Sequence, residues 1–245
     1  MNYQIPIIFL SLILFSCDND EGEKDLPTQV IFNYNGQEVS YDVIKKEYHK
    51  NANGEPLETP ITKLWLDRNL GAERKAIELN DSLAAGDLFQ WGRLDDGHQV
   101  VTSDTTYTLS QSITPGHNKY IASPLGPHDW LIDENNSLWL DAQSPNCPCP
   151  QDWRLPTIEE LKMEMNSWDA PNMEAAFASD LKWVAGGNRD NHGTLRYREF
   201  WAFIWSSTAV ENRSANLLWI VASDTTEAIT SPRIFSASVR CIMDD

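Results

Sequence analysis

Hydrophobic positions along this chain change their spacing from segment to segment, and each spacing predicts an element. From Ile5 to Phe15 they run almost unbroken, with Ser11 the polar exception. In QVIFNYNGQEVSYDVI, residues 29–44, apolar and aromatic residues flank Asn35-Gly36, the dipeptide of a tight hairpin turn, which predicts two antiparallel strands. NANGEP, 51–56, is a loop by composition, and ITKLWLDRNL, 61–70, alternates as a strand does. The spacing then becomes helical. Thr157 follows Pro156 and precedes Glu160 by three residues, a capping box, and Ile158, Leu161, Met165 and Trp168 form one apolar stripe. NMEAAFASDL, 172–181, predicts a second short helix, and FIWSST, NLLWIVAS and SASVRCIM predict closing strands. Strands, then helices, then strands is the order of an α+β fold, not of repeating βαβ units.

Between residues 92 and 147 neither period holds, and Asp, Ser, Thr, Gly and Pro dominate. So long an irregular stretch inside a domain predicts short, hidden strands together with functional loops. There is no tandem repeat and no second flexible linker, so 29–245 reads as one domain.

The first apolar run is too short to cross a bilayer core, which takes about 20 residues, and suits the core of a secretory signal. It ends in Leu14-Phe15-Ser16-Cys17, which resembles a bacterial lipobox, with Phe15 where a smaller residue is usual. The resemblance implies a signal peptide over 1–16, a diacylglycerol on Cys17 and an acidic tether over 17–28. An ordinary cleaved signal beside a coincidental cysteine is the alternative. DNDEGEKD, 18–25, resembles the surface-export signal of Bacteroidetes lipoproteins. The address this implies is the outer membrane, with the domain displayed at the surface and held there by lipid.

Net charge narrows the partners. With 36 acidic and 19 basic residues the chain carries −17, and no block of Lys and Arg supplies the basic footprint of a nucleic-acid binder. Acidic loops raise calcium instead: Asn188, Asp190 and Asn191 in NRDNHG, and DDGH at 95–98, offer oxygen ligands, though neither follows EF-hand spacing. Otherwise no cofactor is expected. Cys147 and Cys149 are spaced CxC, whereas a zinc hook or a redox pair would be CxxC, and His49, His98, His117, His128 and His192 are scattered. No nucleophile elbow, zincin, P-loop or dinucleotide motif is present, so no catalytic residue is named and a non-enzyme is expected. Flat aromatic rings are the remaining route to a ligand, since they stack on sugar faces. Tyr120, Trp130 and Trp139 in the irregular middle are the first candidates; Trp183, Trp201 and Trp205 lie near the late loops, while Trp65, Trp91, Trp153, Trp205 and Trp219 read as core.

Five segments occur in one order: WLDRNLGA (65–72), GDLFQWGR (86–93), CPQDWRLPTIEEL (149–161), WSST (205–208) and SVRCIMDD (238–245). Together they resemble the Fibrobacter succinogenes major paralogous (FISUMP) domain over about residues 30–245. The resemblance implies a C-type-lectin-like fold of two short helices, small twisted antiparallel sheets and long loops. It also implies a disulfide between Cys149 and Cys241, leaving Cys147 as the odd thiol, and structural roles for Arg154 and Arg240, with Asp67 or Asp152 as partners. The family has glycine where this chain has Asp152, and a glycine-rich approach to WSS where this chain has FWAFIWSST. The function expected is a surface binding module for glycan or protein. A structural envelope component, or a hydrolase or oxidase, are the alternatives.

Overall fold

Asn35 and Gly36 take left-handed backbone angles, φ 50° and 76°, and turn the chain between β1 (Gln29–Tyr34) and β2 (Gln37–Lys50), which pair in register from Tyr34↔Gln37 to Gln29↔Asp42. The computed structural model describes residues 26–223 and 225–244; the expected signal, Cys17 and most of the tether lie outside them. A turn at 51–55 then leads into β3 (Pro56–Leu66). This strand runs earlier than the alternation at 61–70 suggests. Its two prolines are tolerated because the β2–β3 register shifts between Tyr48 and Lys50, and proline belongs at such irregularities. Beyond Leu66 the chain leaves the ladder as Arg68 turns back to the Ser40 carbonyl.

The remaining elements are short. They are β4 (Phe89–Gln90), β5 (Thr105–Thr106), β6 (Tyr120–Ile121), β7 (Trp153–Arg154), α1 (Ile158–Asn166), α2 (Met173–Ala178), β8 (Asn188–Arg189), β9 (Leu195–Arg196), β10 (Ala202–Val210), β11 (Ser214–Ile220), β12 (Glu227–Pro232), β13 (Ser236–Ala237) and β14 (Ile242–Met243). The main sheet has the order β1-β2-β3-β14-β7 and is antiparallel; β10-β11-β12 and β4-β13-β8-β9 form two more antiparallel sheets, and β5 and β6 make a small parallel pair. With two short helices among the described residues, this is an α+β arrangement dominated by small sheets. The run 236–243 is not one strand. It crosses from sheet to sheet: Ser238 exchanges hydrogen bonds with Phe203 and Trp205, Val239 accepts from Leu70, and Cys241 accepts from Leu66.

Helix α1 starts as the sequence indicates. The Thr157 hydroxyl accepts from the Glu160 N–H, and the Glu160 carboxylate accepts from the Thr157 N–H. Glu160 also takes both nitrogens of Arg154 at 2.8 and 2.9 Å, and Asp244 takes the third at 2.7 Å. These two, rather than Asp67 or Asp152, are therefore the partners of Arg154. Burial alone would raise the Glu160 carboxyl; the hydrogen bonds and charge of Arg154 outweigh it and hold it below its ordinary value. One turn on, buried Glu164 accepts from the Tyr48 hydroxyl and the indoles of Trp168 and Trp183, at 2.8, 2.8 and 3.2 Å. The same face of α1 packs Ile158 and Leu161 beneath Ile204 and Leu218 of the three-stranded sheet.

Cys149 and Cys241 are joined by a disulfide across 92 residues, and Cys147 is a half-buried free thiol. Closing a loop of that length removes unfolded-chain entropy worth at most about 4.6 kcal/mol. The bond ties the segment before α1 to the run that threads the sheets. Arg240, also in that run, is held by the Asn69 side chain and the Leu181 carbonyl, both at 3.0 Å, and lies over the Trp183 ring. Asp67, expected as its partner, is engaged by Arg68 at 2.8 Å.

Asp152, standing where the resemblance expects glycine, has φ 66°. Its side chain is exposed, and its carbonyl accepts from the Asp244 N–H. An L-residue in this region pays about 1–2 kcal/mol, less for Asp than for most. Asp152→Gly should therefore be at least as stable as the parent, while Asp152→Ala should lose about 1 kcal/mol. Urea unfolding of the three chains checks this; an alanine variant as stable as the parent would contradict it.

Candidate functional site

Alternation along β10 and β11 sorts their residues onto two faces. Ile204, Leu218 and Ile220 face the helices, while Phe203, Trp219 and Leu217 fall on the other side, where Phe203 pairs with Trp219 in register. Tyr197 and Trp201 close over that second face. The segment carrying them is pinned from both sides: the Glu199 N–H donates to the Ala185 carbonyl and the Gly187 N–H to the Trp201 carbonyl. Gly187, at φ 70°, has no room for a Cβ, which would run into the Arg196 carbonyl and the Arg198 backbone. Tyr197 and Glu199 are themselves left-handed, at φ 57° and 73°. Strain of this kind gathers where a loop is held in one shape for a purpose.

The outcome is a groove of about 250 Å³ rimmed by stacked rings. Tyr197 lies flat on Trp201 at 4.1 Å between centroids, Trp201 stands edge-on to Trp219 at 5.3 Å, and Phe203 is parallel to Trp219 at 6.4 Å. Two residues lining the groove, Asn188 and Trp219, carry buried polar atoms with no partner in the protein, Oδ1 and Nε1. A buried polar atom left unpaired costs about 1–3 kcal/mol, so each such atom calls for an explanation. A larger cavity of about 550 Å³ lies beside Lys45, Lys46 and Lys50. There Lys46 is already taken by Asp180 at 3.4 Å and Glu164 at 3.9 Å. Shape, exposed aromatic area and unmet hydrogen bonds coincide in the groove. No protein-family model, curated protein or solved structure matches the chain.

The aromatic candidates of the irregular middle are not at the surface. Tyr120, Trp130 and Trp139 are each 0% exposed, so none can stack on a ligand, and the structure corrects that expectation. Trp130 donates to the Trp91 carbonyl and Trp139 to the Asn146 carbonyl, both at 2.7 Å. Tyr120 donates to the Asp190 carbonyl at 2.9 Å and lies under Arg189. Trp183 and Trp205 are buried as well, which leaves Trp201 as the one late-loop tryptophan at the groove. Trp219, read as core, is half-buried and lines it. Tyr197 and Phe200 went unmarked in the sequence. The signal was the aromatic density of YREFW, 197–201, directly after a polar turn.

The calcium candidates are also put to other uses. Asp190 accepts from the His192 and Thr194 N–H groups and pairs with Arg196, all at 2.9 Å, and Asn191 donates to the Pro124 carbonyl. Asn188 sits in β8 at the groove. NRDNHG is thus the turn of the β8–β9 hairpin, and no group of three or more His, Cys, Asp or Glu suited to a metal is found among the described residues. In DDGH, Asp96 is consumed by Arg93 at 2.7 Å and by the His98 Nδ1 at 2.6 Å.

His98 and Asp129 carry the acid–base character of the interior. The His98 Nε2 accepts the Gln90 N–H at 3.0 Å, so its lone pair is spent. Burial, with the Arg93 charge adding to it, pushes His98 down to about 3. Burial pushes Asp129 up to about 6, only partly countered by Arg233. The two act on stability with opposite signs. As pH falls from His98's ordinary 6.5 to its folded value of about 3, only the unfolded chain gains that proton, and stability is lost. As pH falls from about 6 to the ordinary 3.8 of Asp129, only the folded chain gains its proton, and stability is gained. Asp129→Asn removes the second contribution. Its unfolding free energy should fall more steeply than the parent's between pH 6 and 4, by up to about 1.4 kcal/mol per pH unit. Urea titrations at stepped pH check this; parallel curves would refute it.

Proposed function

We propose that this chain is an exported, lipid-anchored surface protein whose domain is a non-catalytic module for binding carbohydrate, with the aromatic groove as its site. The groove carries the reading: rings from Tyr197, Trp201 and Trp219 lie beside two unpaired polar atoms. Rings supply apolar area and shape, and a few placed polar groups set orientation, which is the usual division of labour in a small-ligand site. The hydroxyls and the C–H face of a sugar ring answer to both.

The finer placement belongs to the same proposal. The five motif segments in FISUMP order support membership of that family and a C-type-lectin-like fold. Two short helices, curled antiparallel sheets and the joining of the 149 and 241 cysteines agree with it. The lipobox-like end of the first apolar run and the acidic stretch after Cys17 support an outer-membrane lipoprotein displayed at the surface. In cells fed radiolabelled palmitate, the protein should take up label and Cys17→Ala should not; equal labelling of both would remove the lipid anchor from the reading.

The ligand is tested with the full chain in detergent on an array of neutral and acidic glycans. Saturable binding to at least one glycan is expected, lost or weakened at least about tenfold in Trp201→Ala and in Tyr197→Ala. Tyr197 is 48% exposed, so its truncation leaves the core intact, and an unchanged melting temperature separates a lost site from a lost fold. Absence of binding to every glycan would leave the structural envelope role as the better account.

A further inference from the structure

The hydrogen-bonding character of the groove narrows its ligand further. We propose, resting on the carbohydrate reading above, that the groove selects a neutral pyranose unit and rejects anionic sugars, without a metal ion. The first ground is the pair of unmet atoms. Asn188 Oδ1 is an acceptor and needs a donor, while Trp219 Nε1–H is a donor and needs an acceptor. A hydroxyl serves as either. A carboxylate, sulfate or phosphate group is acceptor-only, so it can accept from the indole and from the Asn188 Nδ2 but cannot supply the donor that Oδ1 lacks. Neither atom is open to water in the free chain, so pairing with a ligand hydroxyl requires the Asn188 and Trp219 side chains to shift on binding.

The second ground is charge. No residue lining the groove is Asp, Glu, Lys, Arg or His. The nearby cations are committed elsewhere. The Arg189 guanidinium is bound by Gly193, at 3.1 Å, and by Ser103, at 2.7 Å; Arg196 is paired with Asp190 at 2.9 Å, and Arg233 faces Asp129 at 3.8 Å. Arg198, next to Tyr197 in sequence, does not line the groove. An anionic sugar would be desolvated there without compensation, on a chain whose net charge of −17 already repels it. Size is the third ground. At about 250 Å³ the groove falls below the roughly 300–1,000 Å³ of sites for drug-sized ligands, which suits one ring of a chain with its neighbours left in solvent.

Isothermal titration of the full chain in detergent tests this with cellohexaose, mannohexaose and xylohexaose against hexagalacturonate and a heparin-derived hexasaccharide, each with and without EDTA. The expected result is saturable binding of at least one neutral oligomer, unchanged by EDTA, and at least about tenfold weaker binding of both anionic ones. Asn188→Ala and Trp219→Phe should each weaken the neutral ligand about tenfold, the loss of one hydrogen bond, with the native circular dichroism spectrum retained. Anionic oligomers binding as tightly as neutral ones, or binding abolished by Arg198→Ala, would overturn the selectivity and leave the carbohydrate reading standing. Unaltered affinity in both Asn188→Ala and Trp219→Phe, or loss with EDTA, would overturn it too. If no oligomer of either kind binds, the carbohydrate reading falls with it.

Discussion

Buried indole N–H groups donating to main-chain carbonyls hold this protein together. Trp91 donates to Ser206, Trp130 to Trp91, Trp139 to Asn146 and Trp205 to Phe89, at 2.7–2.9 Å. The stretch from 92 to 147 has few ladder bonds, and carbonyls in such a segment need partners wherever they are buried. Tryptophan meets that need while filling the core with ring area. Because Trp130 hangs from Trp91, and Trp91 from the strand carrying Ser206, the loop and the three-stranded sheet are positioned by one chain of donors. Asn146 adds to it by donating to the carbonyls of Gly92 and Ile113, at 2.7 and 2.8 Å.

Arginine extends the same scheme. Arg233 lies over Trp91, Arg189 over Tyr120 and Arg240 over Trp183, with guanidinium carbons 4.1–4.7 Å from the ring centroids, and each donates to carbonyls beyond the ring. Burial pushes Arg240 down to about 10, the Asp67 charge opposing it, so it stays charged at neutral pH. The fork of a guanidinium reaches several carbonyls at once, which an ammonium on a flexible stem does not. Trp65 and Trp219 depart from this pattern, since neither indole N–H finds a partner; of the two, Trp219 lines the groove.

How much of this was legible depended on the range over which each feature is decided. The Asn35-Gly36 turn and the Thr157–Glu160 capping box are local, and both formed as read. The α+β order followed from spacing, and the Cys149–Cys241 bond from motif likeness. The candidate site was not legible, because whether a ring faces water is settled by residues far away in sequence. Trp130 and Trp139 lay in a segment rich in loop residues and so read as exposed; their partners are the carbonyls of Trp91 and of Asn146. Trp219 was placed correctly in a strand, but its face of the sheet is covered only in part by Tyr197 and Trp201, and no local pattern records that. Asn188 was noticed for its oxygen beside acidic neighbours, whereas the structure sets it in an aromatic groove.

The order β1-β2-β3-β14-β7 has a consequence for how the chain comes to be folded. Strand β14 is fourth of the five and lies between β3 and the edge strand β7, so β7 joins the β1-β2-β3 ladder only once residues 242 and 243 arrive. Pairings over such separations form slowly, because their loop-closure entropy is spent before any contact rewards it. The last strand and the 149–241 disulfide therefore do one job together: both join the segment just before α1 to a ladder laid down by β1, β2 and β3.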